Sequence, residues 1–198
     1  MEKLKYIVED SILAELLGVQ NFSNKESAIL ELVKNAFDAN ALTVKIVIKK
    51  DSIEIVDDGC GMNRDDLAQN WMHIGKSSKG YEINGANGKK RVQAGSKGVG
   101  RFALARLGAN VEVFSHKNAC KSIAWITDWN YSTLEEVEDY SLIGTKMLIT
   151  KLRDKWTEKT ANNLAEYLGR TYCDDAMKIE LFFGDKEIPI NRVFEKPE

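Results

Sequence analysis

Three short runs hold residue types at spacings that suit chemistry. In ELVKNAFDA, Glu31, Asn35 and Asp38 stand at i, i+4 and i+7, on one face of a helix. A carboxylate placed this way can take a proton from water, one turn from an amide oxygen able to bind a hard cation. An ordinary amphipathic surface helix has the same pattern. Ile29, Leu32, Val33 and Ala36 then form its buried side, with Leu30 and Phe37 at the edge, and both readings stand. In IVDDGCGM, Asp57 closes an apolar run, and Gly59 and Gly61 flank Cys60 before Met62. An Asp at a strand end can accept a hydrogen bond from an exocyclic amine, and the glycines let backbone approach a ligand closely. Asp-Gly is equally a plain turn signal. In GSKGVGRFA, Gly95 to Gly100 lead into the apolar run FALARL. Glycines before a helix expose N–H groups at its positive end, which suits an anion. The preceding loop adds Lys76, Lys79, Lys89, Lys90, Arg91 and Lys97 against one acid, Glu82.

Two look-alikes fail. Asn70 to Ser77 ends like a phosphate-binding P-loop but starts on Asn and follows no apolar strand. Gly98 to Ala103 matches a loose dinucleotide fingerprint, yet lacks a strand before it and an acid-ending strand about 20 residues after it.

The elements that must position these residues follow from periodicity. A short helix is expected from about Asp10 to Val19. A longer one runs through SNKESAILELVKNAFDANA, opened by a Ser23–Glu26 capping box. LTVKIVIKK and SIEIVDD alternate apolar and polar residues as a hairpin turning at Asp51. RDDLAQNWM is a short helix. From about Ile74 to Gly98 nothing repeats, and long aperiodic loops in compact domains are often lids. GVGRFALARLGAN predicts a helix ending at Gly108, and NVEVFSH, KSIAWITDW and GTKMLITKL predict strands. KWTEKTANNLAEYLGRTY predicts a helix, and MKIELFFG and KEIPI a last pair of strands. Mixed elements without strict βαβ alternation point to an α+β fold, a two-layer α/β sandwich with a mostly antiparallel sheet.

Composition agrees. The 198 residues suit one domain, with 43% hydrophobic and 29% charged residues. A net charge of −2 gives no global bias toward nucleic acid or anionic membrane. No apolar run nears the roughly 20 residues of a membrane span, and MEKLKYIVEDSI lacks the apolar stretch of a secretory signal. Three scattered cysteines (Cys60, Cys120, Cys173) and two histidines make no zinc pattern and fit a reducing, cytoplasmic setting. The charged, proline-bearing FEKPE reads as a linker, so the natural protein is expected to continue.

Taken in order, the runs resemble the GHKL ATPase superfamily of gyrase B, heat-shock chaperones, histidine kinases and MutL. ELVKNAFDA is similar to its N box, IVDDGCGM to its first glycine box and GSKGVGRFA to its second. Gly144-Thr145 before KMLIT is similar to the element that places a threonine beside the adenine-binding aspartate. The resemblance covers about Glu26 to Leu152 and implies a Bergerat-type sandwich, helices on one sheet face, and a lid over about 62–98. It implies ATP and Mg²⁺ as cofactors, with Glu31 as general base and Asn35 as the Mg²⁺ ligand. Asp57 would bind the adenine amino group, Thr145 would support it, and Gly59, Gly61 and Met62 would shape the pocket. Gly98, Val99 and Gly100 would present N–H groups to phosphate, Lys97 would meet the γ-phosphate, and Ser77, Ser78 and Lys79 would be lid contacts. Asp38 matches a family position with either a supporting or a structural role.

The implied activity is slow ATP hydrolysis, with lid closure coupling ATP to homodimerisation or action on a protein or nucleic-acid client. The alternatives are a nucleotide-gated binding module without turnover, or a histidine-kinase-type phosphotransfer domain. The last fits poorly, because His73 and His116 both follow the N box. IGKSSK and GRFA look closest to chaperone-like or MutL-like prokaryotic members.

Overall fold

The computed structural model describes residues 8–74, 82–84, 90–92, 99–138, 143–172 and 176–192. In chain order the elements begin with α1 (Asp10–Leu13), which widens into a π-type stretch over Ala14–Val19, and α2 (Lys25–Asp38). The hairpin β1 (Thr43–Ile48) and β2 (Ser52–Asp57) follows, then α3 (Arg64–Asp66), prolonged as wide turns over Leu67–Trp71. After β3 (Glu82–Asn84) and β4 (Lys90–Val92), a 3₁₀ turn at Gly100–Phe102 runs into α4 (Ala103–Leu107). The remainder is β5 (Gly108–His116), β6 (Ser122–Thr127), β7 (Ser132–Val137), β8 (Gly144–Leu152), α5 (Glu158–Thr171), β9 (Lys178–Phe183) and β10 (Lys186–Glu187).

Eight strands form one sheet in the order β10-β9-β1-β2-β8-β5-β6-β7. Every pairing is antiparallel except β1 with β9. This is the expected two-layer α/β sandwich. The registers set side chains in transverse rows on the face that the helices cover. One row reads Leu181, Ile46, Ile55, Met147, Val113 and Trp125; the next reads Phe183, Ile48, Ile53, Ile149, Val111 and Thr127. Period-two alternation in β1 and β2 buries Val44, Ile46, Ile48, Ile53 and Ile55 together. Helix α2 lies against this core through Ile29, Leu32, Val33 and Ala36, and contacts α4 and α5 at its flanks. No described helix is long and apolar enough to cross a membrane.

Several local expectations shift. The cap of α2 is Asn24, not Ser23: its side chain accepts the Ser27 N–H at 2.7 Å, and Ser27 Oγ donates back to the Asn24 carbonyl at 2.8 Å. Asn caps as well as Ser, and it is the residue in extended conformation next to the first turn. The helix after the second glycine box is short, because Gly108 already belongs to β5. The segment read as one loop holds the β3–β4 pair. Strand β7 has no signature in the sequence, because STLEEV, at the sheet edge, lacks a run of buried apolar residues.

Candidate functional site

The third transverse row differs from the other two. It reads Val44, Asp57, Thr145, Ser115 and Ile123, three polar side chains side by side, where the other two rows are apolar but for Thr127 on β6. All three are buried, Asp57 at 6% exposure, Thr145 at 6% and Ser115 at 0%. The Asp57 carboxylate accepts the Gly59 N–H at 2.9 Å. Burial pushes its pKa from 3.8 up to about 6, with the charge of Asp58 adding to the rise and backbone hydrogen bonds from Gly59 and Thr145 opposing it. The neighbouring acid does different work. Asp58 accepts the N–H groups of Leu42 at 2.7 Å and Thr43 at 2.8 Å, tying its turn to the start of β1. The turn reading of Asp-Asp-Gly thus belongs to Asp58, while Asp57 points into the fold.

Around this row the backbone closes in. Gly61 lies against the His116 carbonyl, and the next N–H, that of Met62, donates to Ser115 Oγ at 2.8 Å. At the head of β8, Gly144 has φ 133°, and a Cβ there would stand 2.0 Å from the Asp57 carbonyl oxygen. Only glycine fits where β2 and β8 meet this closely. Ser115 was absent from the sequence-based candidates. The available signal was its place in the alternation Val111, Val113, Ser115, which sends a hydroxyl to an inward position.

The other end of the site is built from α2 and the second glycine box. A Cβ on Gly100 would lie 2.6 Å from Glu31 Oε1 and 3.4 Å from Asn35 Nδ2. The N-box carboxylate and amide therefore face the glycine backbone across the width of one side chain. Glu31 is partly exposed and within 3.9 Å of Lys34. Asp38, at 8% exposure, is buried at the end of α2, which rules out a solvated face at that position. The far end of α2 reaches the first glycine box, where Cys60 N–H donates to the Ala39 carbonyl at 2.8 Å. Helix α2 thus bridges the two glycine boxes, with Glu31 and Ala39 about 12 Å apart along its axis. Val99 precedes the 3₁₀ turn. Arg101, within that turn, is buried, and burial lowers its pKa to about 10. Ser77, Ser78, Lys79, Lys97 and Gly98 lie outside the described residues.

Among the described residues no cluster of three or more His, Cys, Asp or Glu could hold a metal by itself. Beside Gly100, the Glu31 carboxylate and the Asn35 amide are oxygen-bearing side chains of a kind that hard cations take as ligands. Cys60 and Cys120 are free thiols.

Residues 22–161 match the family described as histidine kinase-, DNA gyrase B-, and HSP90-like ATPase. The chain is 35% identical to a putative type II restriction enzyme HgiDII of Herpetosiphon aurantiacus, over 49% of this chain and 16% of that protein. It is 32% identical to the chaperone protein HtpG of Campylobacter jejuni, over 64% of this chain and 25% of the relative. With HtpG of Rickettsia rickettsii the identity is 25%, over 96% of this chain and 35% of the relative. The match covers about a sixth to a third of each of these curated relatives.

Proposed function

The chain belongs to the histidine kinase-, DNA gyrase B- and HSP90-like ATPase family, and we propose that it binds ATP with Mg²⁺ and hydrolyses it slowly. The observation that carries the reading is the bridge made by α2. From its middle the helix holds Glu31 and Asn35 against Gly100, and at its C-terminal end it abuts the glycine box that follows the buried Asp57.

In this reading Asp57 accepts the adenine amino group at the floor of the pocket, beside the Thr145 hydroxyl. Gly59, Gly61 and Met62 form its wall. The N–H groups of Gly98, Val99 and Gly100 receive the phosphates, a favourable use of a glycine backbone. Lys97 adds a positive charge near the γ-phosphate, and Ser77, Ser78 and Lys79 contact it from the lid. Asn35 holds Mg²⁺ through its amide oxygen, and the ion when bound offsets negative charge on the phosphate oxygens. Glu31 removes a proton from the water that attacks the γ-phosphorus, and ADP leaves as the new P–O bond forms. Asp38, buried on the same helix, holds the end of α2 rather than touching the nucleotide.

The chain acts as a single unit with a lid over about 62–98. Lid closure on triphosphate would exclude water and couple the nucleotide to homodimerisation or to a partner in a longer protein. The relatives' names, a chaperone and a restriction enzyme, leave protein and nucleic acid both eligible as clients. The test is steady-state turnover of ATP by wild type and Glu31→Ala. A drop of about 10² to 10⁴-fold with ATP still bound is expected for the loss of a general base. Turnover that survives the substitution removes Glu31 from the role. Binding without any wild-type turnover replaces hydrolysis with a nucleotide-gated switch.

A further inference from the structure

The hydrogen-bond inventory around Ser115 decides which way the Thr145 hydroxyl points. Ser115 Oγ has three neighbours: the Met62 N–H at 2.8 Å, the Gly144 carbonyl at 3.0 Å and Thr145 Oγ1 at 2.9 Å. A hydroxyl has one proton to give and two lone pairs to receive with. Met62 N–H can only donate and the Gly144 carbonyl can only accept. If Ser115 gives its proton to Gly144, its second lone pair takes the proton of Thr145, and all three contacts are bonds. If Ser115 gives its proton to Thr145 instead, its contact with the Gly144 carbonyl is lost. Ser115 and Thr145 are both buried, and there the arrangement that satisfies every contact is the stable one.

With its proton drawn back toward Ser115, Thr145 offers only lone pairs to anything beside Asp57. Asp57 and Thr145 are cross-strand partners on the same face. Two neighbouring acceptors match a group with two N–H bonds and repel a carbonyl oxygen. We infer that Ser115 is a specificity-determining residue, which makes the pocket floor select a purine with an exocyclic amino group over its 6-oxo counterpart. The inference rests on the ATP-binding reading above. Ser115 acts through Thr145 and does not touch the base, so it is a positioning residue.

The experiment measures dissociation constants for ATP and inosine triphosphate by calorimetry at pH 8, where Asp57 is ionised, on wild type, Ser115→Ala and Ser115→Thr. Wild type is expected to prefer ATP by at least about tenfold. In Ser115→Ala the Thr145 hydroxyl is free to turn and donate, so the preference should fall by about tenfold, while Ser115→Thr restores it. Should Ser115→Ala fail to fold, Ser115→Cys replaces it, because a thiol fills the space yet bonds weakly. Equal weakening of both nucleotides by Ser115→Ala or Ser115→Cys, with the ratio intact, would overturn the inference and leave Ser115 a structural residue. Wild type that binds the two equally would overturn it without any variant. Wild type that binds neither nucleotide would overturn the ATP-binding reading itself, and the inference with it.

Discussion

The two ends of the candidate site are built on opposite plans. At the sheet end, Asp57, Thr145 and Ser115 are buried between strands, and their contacts run to backbone on two separate segments, the first glycine box at Gly59 and Met62 and the head of β8 at Gly144. At the helix end, Glu31 is partly exposed and faces Gly100 in a single 3₁₀ turn that opens a five-residue helix. In the proposed reading the sheet end recognises the base, which needs one geometry held without motion, and interlocking backbone contacts suit that. The helix end, proposed to receive the phosphates, would have to admit, enclose and release a changing ligand, and it rests on a short turn next to the segment proposed as the lid. The difference teaches that a loss at the sheet end should act through folding and binding, and a loss at the helix end through turnover.

The largest effect is expected from Gly144→Ala, which would break the sheet end outright. Its Cβ meets the Asp57 carbonyl oxygen at 2.0 Å, at φ 133°. A destabilisation on the order of 4 kcal/mol is expected, visible as a collapsed melting temperature with ATP binding lost.

Asp57→Asn separates stability from recognition at the same end. The folded chain holds the Asp57 proton more tightly than the unfolded chain does, since its pKa rises from 3.8 to about 6. Stability from this group is therefore full below about pH 4 and lost as pH rises through 6, a change of roughly 3 kcal/mol. At pH 8 the Asn variant should melt higher than wild type when nucleotide is absent, yet bind ATP at least about 100-fold more weakly. In wild type, ATP affinity should fall as pH drops through about 6. Calorimetry from pH 5 to 8 reads both, and an Asn variant that binds ATP normally would refute the adenine role.

Gly100→Ala tests the helix end. The obstruction is Glu31 Oε1, the far end of a flexible side chain, so the fold should hold within about 1 kcal/mol while turnover falls by about tenfold or more. The smallest effect is expected from Asn24→Ala, loss of about 1 kcal/mol from the cap of α2 with turnover per folded molecule little changed. A larger effect on turnover would mean that the start of α2 sets the position of Glu31.

Much of this division is legible in the sequence. Alternation in Val44 to Ile48 and Ile53 to Ile55 marks the core hairpin, and the glycine boxes mark both ends of the candidate site. What stayed hidden depended on pairing distant in sequence. Nothing in KIELFF says that it lies parallel to β1, because that choice is made by the crossover through α5. Alternation through Ile53 and Ile55 turns Asp57 inward and Asp58 away, but their partners appear only when Thr145 arrives opposite one and the start of β1 binds the other. Ser115 is the sharpest case. Its meaning depends on Met62, 53 positions away, and on Gly144, 29 positions away.

The strand order also has a consequence for the order of synthesis. The hairpin β1–β2 is complete by Asp57, yet its two outer edges are covered only by β8, ending at Leu152, and β9, ending at Phe183. At roughly 5–20 residues per second, a nascent chain carries an apolar hairpin with both edges open for several seconds or longer. The β2 edge, beside Asp57, is covered first and the β1 edge last, so the pocket floor can assemble before the sheet is finished.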